Sequence, residues 1–241
     1  MINYRFLQTI TTAIIVATLA LSCDTTVTRK TEDARAKASA QPNPQPNITY
    51  GELIIKEQSD YLMIPVNVIE KNQEKESVLD LSSRSYEKDN GRLYNLVFYR
   101  KQDGETHLLL NKKAIINTYE FLESKTAGKP PIRFWLYRII DQDTNQDKKL
   151  NSDDAIIGYI SDLSGKNFQQ ITPNKSQILN WVVLPSQNTI FIKILKDSTN
   201  DNKFTSADQT NFVRVSLDKP SFGSEIISEQ LEKQIKSYLQ Q

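Results

Sequence analysis

The stretch that most restricts this chain is Asp143-Thr144-Asn145-Gln146-Asp147-Lys148-Lys149-Leu150-Asn151-Ser152-Asp153-Asp154. Oxygen-bearing side chains recur at alternate positions from Asp143 to Asp147. Alternate side chains share a side, and a chain that gathers hard oxygen donors on its inner side can wrap a divalent cation. The inward set is Asp143, Asn145, Asp147, the main-chain carbonyl of Lys149, Asn151 (directly or through water) and Asp154. Leu150 is the apolar residue that pins the loop to a core. A register beginning at Asp141 puts Lys148 at the anchor position and Ser152 at the closing one. It lacks both an apolar anchor and a closing carboxylate, so the Asp143 register is preferred and Asp141 only adds negative potential. An Asx-rich turn without an ion is the competing reading.

A second copy follows. In Asp197-Ser198-Thr199-Asn200-Asp201-Asn202-Lys203-Phe204-Thr205-Ser206-Ala207-Asp208 the same positions hold Asp197, Thr199, Asp201, the carbonyl of Lys203, Thr205 and Asp208, with Phe204 as anchor. Asp143 and Asp197 are 54 residues apart, as are Leu150 and Phe204. Equal spacing of ligand and anchor marks a repeat.

The loop resembles the calcium loop of EF-hands, with ligands at positions 1, 3, 5, 7, 9 and 12. It is closer to that of dockerin modules, D-x-N-x-D-x-x-L-N-x-x-D. The resemblance covers these twelve residues and implies calcium binding, with one or two ions per chain; it implies nothing about cohesin. Lys148 stands where EF-hands carry Gly for a positive φ, at about 1 kcal/mol. Asn202 in the second copy tolerates that conformation better. Asp154 replaces the usual Glu. Both departures point to modest affinity, on the order of the 10⁻⁴ to 10⁻³ M of extracellular modules.

Residues 1–22 read as a secretory signal peptide: Arg5 with the amino terminus, then an apolar run from Ile10 to Leu21 too short for a comfortable span. It ends Leu19-Ala20-Leu21-Ser22-Cys23, which resembles a bacterial lipobox. The resemblance implies a diacylglyceryl thioether on Cys23, cleavage before it, and acylation of its amino group. Several acyl chains anchor far more firmly than one. An uncleaved helix and ordinary signal cleavage are the alternatives. Cys23 is the sole cysteine, leaving none for disulfides, thiolate catalysis or zinc. Residues 23–47 read as a lipidated, disordered tether stiffened by prolines.

Residues 48–223 carry β-rich patterning. Apolar runs occur at Gly51–Ile55, Tyr61–Ile69, Leu93–Arg100, Ala114–Phe121, Ile132–Ile140, Ile156–Leu163, Phe168–Pro173, Ile178–Leu184, Ile190–Leu195 and Phe212–Leu217, with Asp103-Gly104 as a hairpin signal. Val68 to Arg92 is a polar excursion. Both calcium loops therefore join strands rather than helices. The order strand, Asp-Leu-Ser-Gly turn, Ile-Thr-Pro end, then Trp181-bearing strand resembles a blade of TolB-like and WD40-like propellers over about Trp135–Leu217. There is room for two to four blade-like sheets. The expected class is all-β, mainly antiparallel, with small, incomplete or atypical propeller-like sheets and a C-terminal helix. That helix is expected over 224–241, capped by Ser224, with Ile227, Leu231, Ile235 and Leu239 on one stripe. It would pack on the β core and cover a sheet edge, or else bind a partner.

His107 is the sole histidine and reads as structural. No G-x-S-x-G, P-loop or H-E-x-x-H is present, and Trp135 and Trp181 read as core, or alternatively as sugar-stacking platforms. Formal net charge is +1, so nothing points to nucleic acid. The expectation is a non-enzymatic envelope lipoprotein held to the membrane through Cys23, either periplasm-facing or surface-exposed. Its β-domain is stabilised by calcium and serves as a scaffold or binds a protein or glycan. The alternative is a carboxylate-dependent envelope hydrolase, which needs two carboxylates outside the calcium loops facing one cleft.

Overall fold

A computed structural model of the chain describes residues 45–69 and 92–240. The chain divides into two units, residues 1–45 and 46–241, and the described residues belong to the second, Gln45 apart. The expected signal peptide, Cys23, most of the tether and the polar segment 70–91 lie outside the described residues.

Thirteen strands form three antiparallel sheets among the described residues. The first holds β1 (Asn47–Tyr50), β2 (Ile54–Ile55), β3 (Tyr61–Ile69), β4 (Arg92–Arg100) and β5 (Thr106–Leu108). β1 and β2 both pair with β3, and the order is β1-β3-β4-β5. The middle sheet is the meander β6 (Ile115–Ser124), β7 (Ile132–Ile140), β8 (Ile157–Ser161) and β9 (Gln169–Gln170). The third is β10 (Ser176–Leu184), β11 (Thr189–Lys196), β12 (Gln209–Ser216) and β13 (Ser224–Glu225). No barrel closes. The all-β, mainly antiparallel class with incomplete, propeller-like sheets and a C-terminal helix is what the structure has.

Side-chain alternation explains the stacking. In β7, Phe134, Leu136 and Ile140 point into one core, shared with Ile178, Ile192 and Val213 of the third sheet. Trp135, Tyr137 and Ile139 point into the other, shared with Met63, Leu96 and Phe98 of the first. A strand buried on both faces must be largely apolar, and Ile132–Ile140 is apart from Arg133 and Arg138, which stay only partly buried. The outer strand β12 instead buries only alternate residues, Asn211, Val213 and Val215.

The sheets repeat one construction. Asn95 of β4 accepts from the Leu110 N–H (3.0 Å) and donates to its carbonyl (2.8 Å), two residues beyond β5. Asn211 of β12 does the same to Ile227, two residues beyond β13 (3.0 and 2.8 Å). In the middle sheet Gly158 stands at this place, and its N–H donates to the Thr172 hydroxyl, two residues beyond β9 (2.7 Å). Any side chain at 158 would collide with Thr172: an added Cβ would lie 2.9 Å from its Cγ2.

The Asn211 clamp relocates the C-terminal helix. Ser224 and Glu225 pair with β12, so the helix expected from Ser224 begins later, as α1 (Glu229–Leu239), capped by Ser228 accepting from the Leu231 N–H. None of its residues is buried, and Leu231 and Ile235 stay 40% and 45% exposed. Its apolar stripe does not cover the β core; the edge of β12 is covered by β13. The run Phe168–Pro173 is strand only at Gln169–Gln170. Trp135 is buried, with the rings of Tyr119 and Phe121 edge-on to it, which removes it as a sugar platform. Trp181 packs partly buried on the core between the middle and third sheets. His107 stacks on Phe98, ring centroids 5.5 Å apart. Among the described residues no helix is long and apolar enough to cross a membrane.

Candidate metal centres

Loop 1, residues 141–156, joins β7 to β8, and loop 2, residues 197–208, joins β11 to β12. Each is the connection between the second and third strands of its sheet. Two bonds place them at the same end of the stacked sheets. Ile178, near the start of β10, donates to the Ile156 carbonyl at the exit of loop 1 (2.9 Å). Asp197, at the entry of loop 2, donates to the Lys175 carbonyl just before β10 (3.2 Å). The Arg92 guanidinium, at the start of β4, donates to the Leu150 carbonyl (3.2 Å). The paired ends of β3 and β4 in the first sheet, Val68 opposite Arg92, therefore lie at this end as well.

The two loops match at positions 1, 5, 9 and 12 and differ at position 3, where Asn145 accepts from Asp147 N–H (3.0 Å) but the Thr199 hydroxyl donates to Asp208 (3.4 Å). At position 1, Asp143 accepts from the N–H groups of Asp147 (3.1 Å) and Lys148 (2.7 Å). Asp197 accepts from those of Asp201 and Asn202 (both 3.2 Å). At position 5, Asp147 accepts from Lys149 N–H (2.8 Å) and Asp201 from Lys203 N–H (3.0 Å). At position 9, Asn151 accepts from Asp153 N–H (2.7 Å) and Thr205 from Ala207 N–H (3.2 Å). The closing Asp154 accepts at one oxygen from the N–H groups of Thr144 (2.8 Å) and Asn145 (3.3 Å), and at the other from Asn151 N–H (3.0 Å). Asp208 repeats this with Ser198 (3.0 Å), Thr199 (3.3 Å) and Thr205 (2.9 Å). These donors, the Thr205 N–H first, hold the Asp208 carboxyl below the ordinary carboxylate range against the opposing effect of burial.

The backbone agrees. Position 6 has positive φ in both loops, 67° at Lys148 and 60° at Asn202, as the sequence pattern requires. Position 4 does too, at Gln146 (63°) and Asn200 (57°). Leu150 and Phe204 are partly buried against the two cores. Asp154 is fully buried, and Asp197 and Asp208 nearly so, while Asp147 and Asp201 are exposed.

Two features escape the ligand pattern. The hydroxyls of Thr144 and Ser198 at position 2 accept from the N–H just past each loop, Ala155 (2.9 Å) and Gln209 (3.1 Å). A hydroxyl at position 2 of both copies was the sequence signal for them. Asp141 does not add its charge to loop 1. It is buried, ion-paired to Lys112 and bonded by the Tyr159 hydroxyl (2.6 Å). Burial, then the hydrogen bond to Asp141 and its charge, pushes the Tyr159 hydroxyl well up.

The donor set of each loop mixes carboxylate, amide or hydroxyl, and main-chain oxygens, without nitrogen or sulfur. That chemistry suits a hard cation such as calcium. Among the described residues no three His, Cys, Asp or Glu side chains form a metal-holding group by themselves.

At the opposite end, between the middle and third sheets, lies an open groove of about 530 Å³. The start of β7, the end of β8 and residues 217–220 line it, and Asp162 and Asp218 both reach it. Asp162 is committed to its own turn, accepting from Ser164 N–H (2.9 Å), Lys166 N–H (3.1 Å) and the Asn167 amide (2.8 Å). Asp218 accepts from the Asn188 amide (2.9 Å).

No family model matches the chain, and no curated protein or solved structure matches it.

Proposed function

We propose that this chain is an envelope lipoprotein, anchored through Cys23, whose β-domain is locked by calcium in two loops and serves as a scaffold or binds a protein or glycan. The observation that carries the calcium part is the agreement of the two loops in their main-chain hydrogen bonds at positions 1, 5, 9 and 12, although two of the six ligand positions, 3 and 9, change from Asn to Thr. Asp143, Asn145, Asp147, the Lys149 carbonyl, Asn151 and Asp154 would hold one ion. Asp197, Thr199, Asp201, the Lys203 carbonyl, Thr205 and Asp208 would hold the other. Calcium supplies positive charge that neutralises the three carboxylates of each loop and fixes the hairpin between neighbouring strands. Its role is structural, not catalytic.

Equilibrium dialysis against millimolar calcium tests this. Two ions bind per chain, and one in Asp147→Ala or Asp201→Ala; no bound ion in the parent chain would sink the calcium reading. The anchor is tested separately, by incorporation of labelled fatty acid in an expressing bacterium. Label should be lost in Cys23→Ser, and label retained there would sink the lipoprotein reading.

The groove between the middle and third sheets is the place proposed for a protein or glycan. It also meets the first requirement of the hydrolase alternative, two carboxylates outside the calcium loops facing one cleft. The bonds that occupy both oxygens of Asp162 favour binding over proton transfer, since a general acid must carry and release a proton.

A further inference from the structure

The outer face of the first sheet is mostly apolar, with Asn95 and Thr106 its polar residues besides one arginine. Alternation assigns it: Ile54, Met63 and Phe98 are paired across β2, β3 and β4 and point into the core, so their strand neighbours point away. Ile64–Val97 and Val97–Leu108 are cross-strand pairs at the centre of this face. Ile48, Tyr50 and Ile55 extend it along β1 and β2. Tyr50 is 70% exposed, Ile55 60% and Leu108 56%. No Lys, Arg, Asp or Glu stands on it except Arg92 at one corner, whose guanidinium reaches the Leu150 carbonyl.

Such a face is unlike the solvent side of an antiparallel sheet, which alternates apolar inward with polar outward. The third sheet keeps that rule better, with Asn180, Lys193 and Arg214 among its outer residues. Contiguous exposed apolar patches beyond a few hundred Å² mark interaction sites. The helix α1 cannot cover this one within the same chain. It follows β13 in the third sheet, with the middle sheet between, and Ile227 is clamped to Asn211 one residue before the Ser228 cap.

We propose that this face is a dimer interface, packed on the same face of a second copy across a two-fold axis. A mostly apolar sheet face whose single charge sits at a corner is complementary to itself, and two such faces stack as in a β-sandwich. A five-stranded face with residues this exposed is on the order of the ~800 Å² that a standard interface takes from each partner. The third sheet's outer face is a poorer match, since Lys193 and Arg214 would lose water against apolar side chains.

Light scattering on the full chain after size-exclusion chromatography, over a wide concentration range, tests it. The expected mass is that of two chains. Ile55→Asp and Leu108→Asp, at positions more than half exposed, give monomers with an unchanged circular dichroism spectrum, whereas Ile235→Asp on α1 stays dimeric. A monomer at every concentration overturns the proposal. So does a dimer that survives both face variants. A monomer that binds phosphatidylcholine vesicles, and loses them with Ile55→Asp, overturns it in favour of a lipid surface.

Discussion

Loop 1 holds Lys148 at φ 67° where loop 2 holds Asn202 at φ 60°, and it closes on a fully buried Asp154 where loop 2 closes on Asp208, 9% exposed. Asn145 and Asn151 in the first become Thr199 and Thr205 in the second. Yet the main-chain hydrogen bonds to positions 1, 5, 9 and 12 are the same. The geometry therefore follows from what the two share: Asp at positions 1, 5 and 12, a hydroxyl at position 2 and an apolar anchor at position 8. The comparison separates two jobs among the carboxylates. Position 12 is buried and accepts several N–H bonds, so it holds the loop whether or not an ion is present. Position 5 is exposed and accepts from one main-chain N–H, joined in loop 1 by the Asn151 amide (3.3 Å), so it holds the loop less than position 12 does and gains most from a ligand.

The largest effect should come from Asp154→Ala. It strands the N–H groups of Thr144, Asn145 and Asn151, and a buried unpaired donor costs ~1–3 kcal/mol. We expect a loss of about 3 kcal/mol in urea melts, present in calcium and in chelator alike, and a smaller loss for Asp208→Ala. An effect confined to calcium would break the division of labour. Asp147→Ala and Asp201→Ala come next. Each should destabilise the chain in calcium by up to the ~2.7 kcal/mol that a ligand at a hundredfold excess over Kd supplies, seen as a lower melting temperature, and hardly at all in chelator. An equal effect in both conditions would make position 5 merely structural. Lys148→Gly should stabilise by ~0.5 kcal/mol, because Gly relieves left-handed strain but loses more chain entropy. Asn202→Gly should change less, and urea midpoints of the two variants give the ordering.

The smallest expected effect is the acid dependence of loop 2. The Asp208 carboxyl is held below its ordinary range. The stability it adds is thus fully present above the unfolded carboxylate range, at about pH 4. It is lost as pH falls through the lower folded value. Urea midpoints against pH should fall less steeply in Asp208→Asn than in the parent chain below that range.

The strands most legible in the sequence were those buried on both faces or flanked by clear turns. Ile132–Ile140 and Tyr61–Ile69 match observed strands residue for residue, since long runs dominated by apolar residues have few packing solutions. The ligand spacing and the positive φ at position 6 were legible because chelation imposes a period of two and one tight turn. The left-handed residues at position 4 were not, since Gln146 carries no such signal. The start of α1 was misjudged because Ser224 and Ser228 both look like caps, and only the distant Asn211 decides between them. The groove beside Asp162 and Asp218 was invisible for the same reason: it joins turns from two sheets. The mostly apolar outer face of the first sheet was half legible, as the run from Tyr61 to Ile69, interrupted only by Asn67, calls for burial on both sides, but its open side needed the pairing of β3 with β4.

The most direct measurement is a thermal melt of the chain in millimolar calcium and again in chelator. For a domain of this size ~1 kcal/mol shifts the midpoint by roughly 2–4 °C. Two loops coupled to folding should therefore raise it by several degrees in calcium, and the rise should be about halved in Asp147→Ala or Asp201→Ala. An unchanged midpoint at every calcium concentration would mean that the two loops are Asx turns held by their own hydrogen bonds, and would contradict the account.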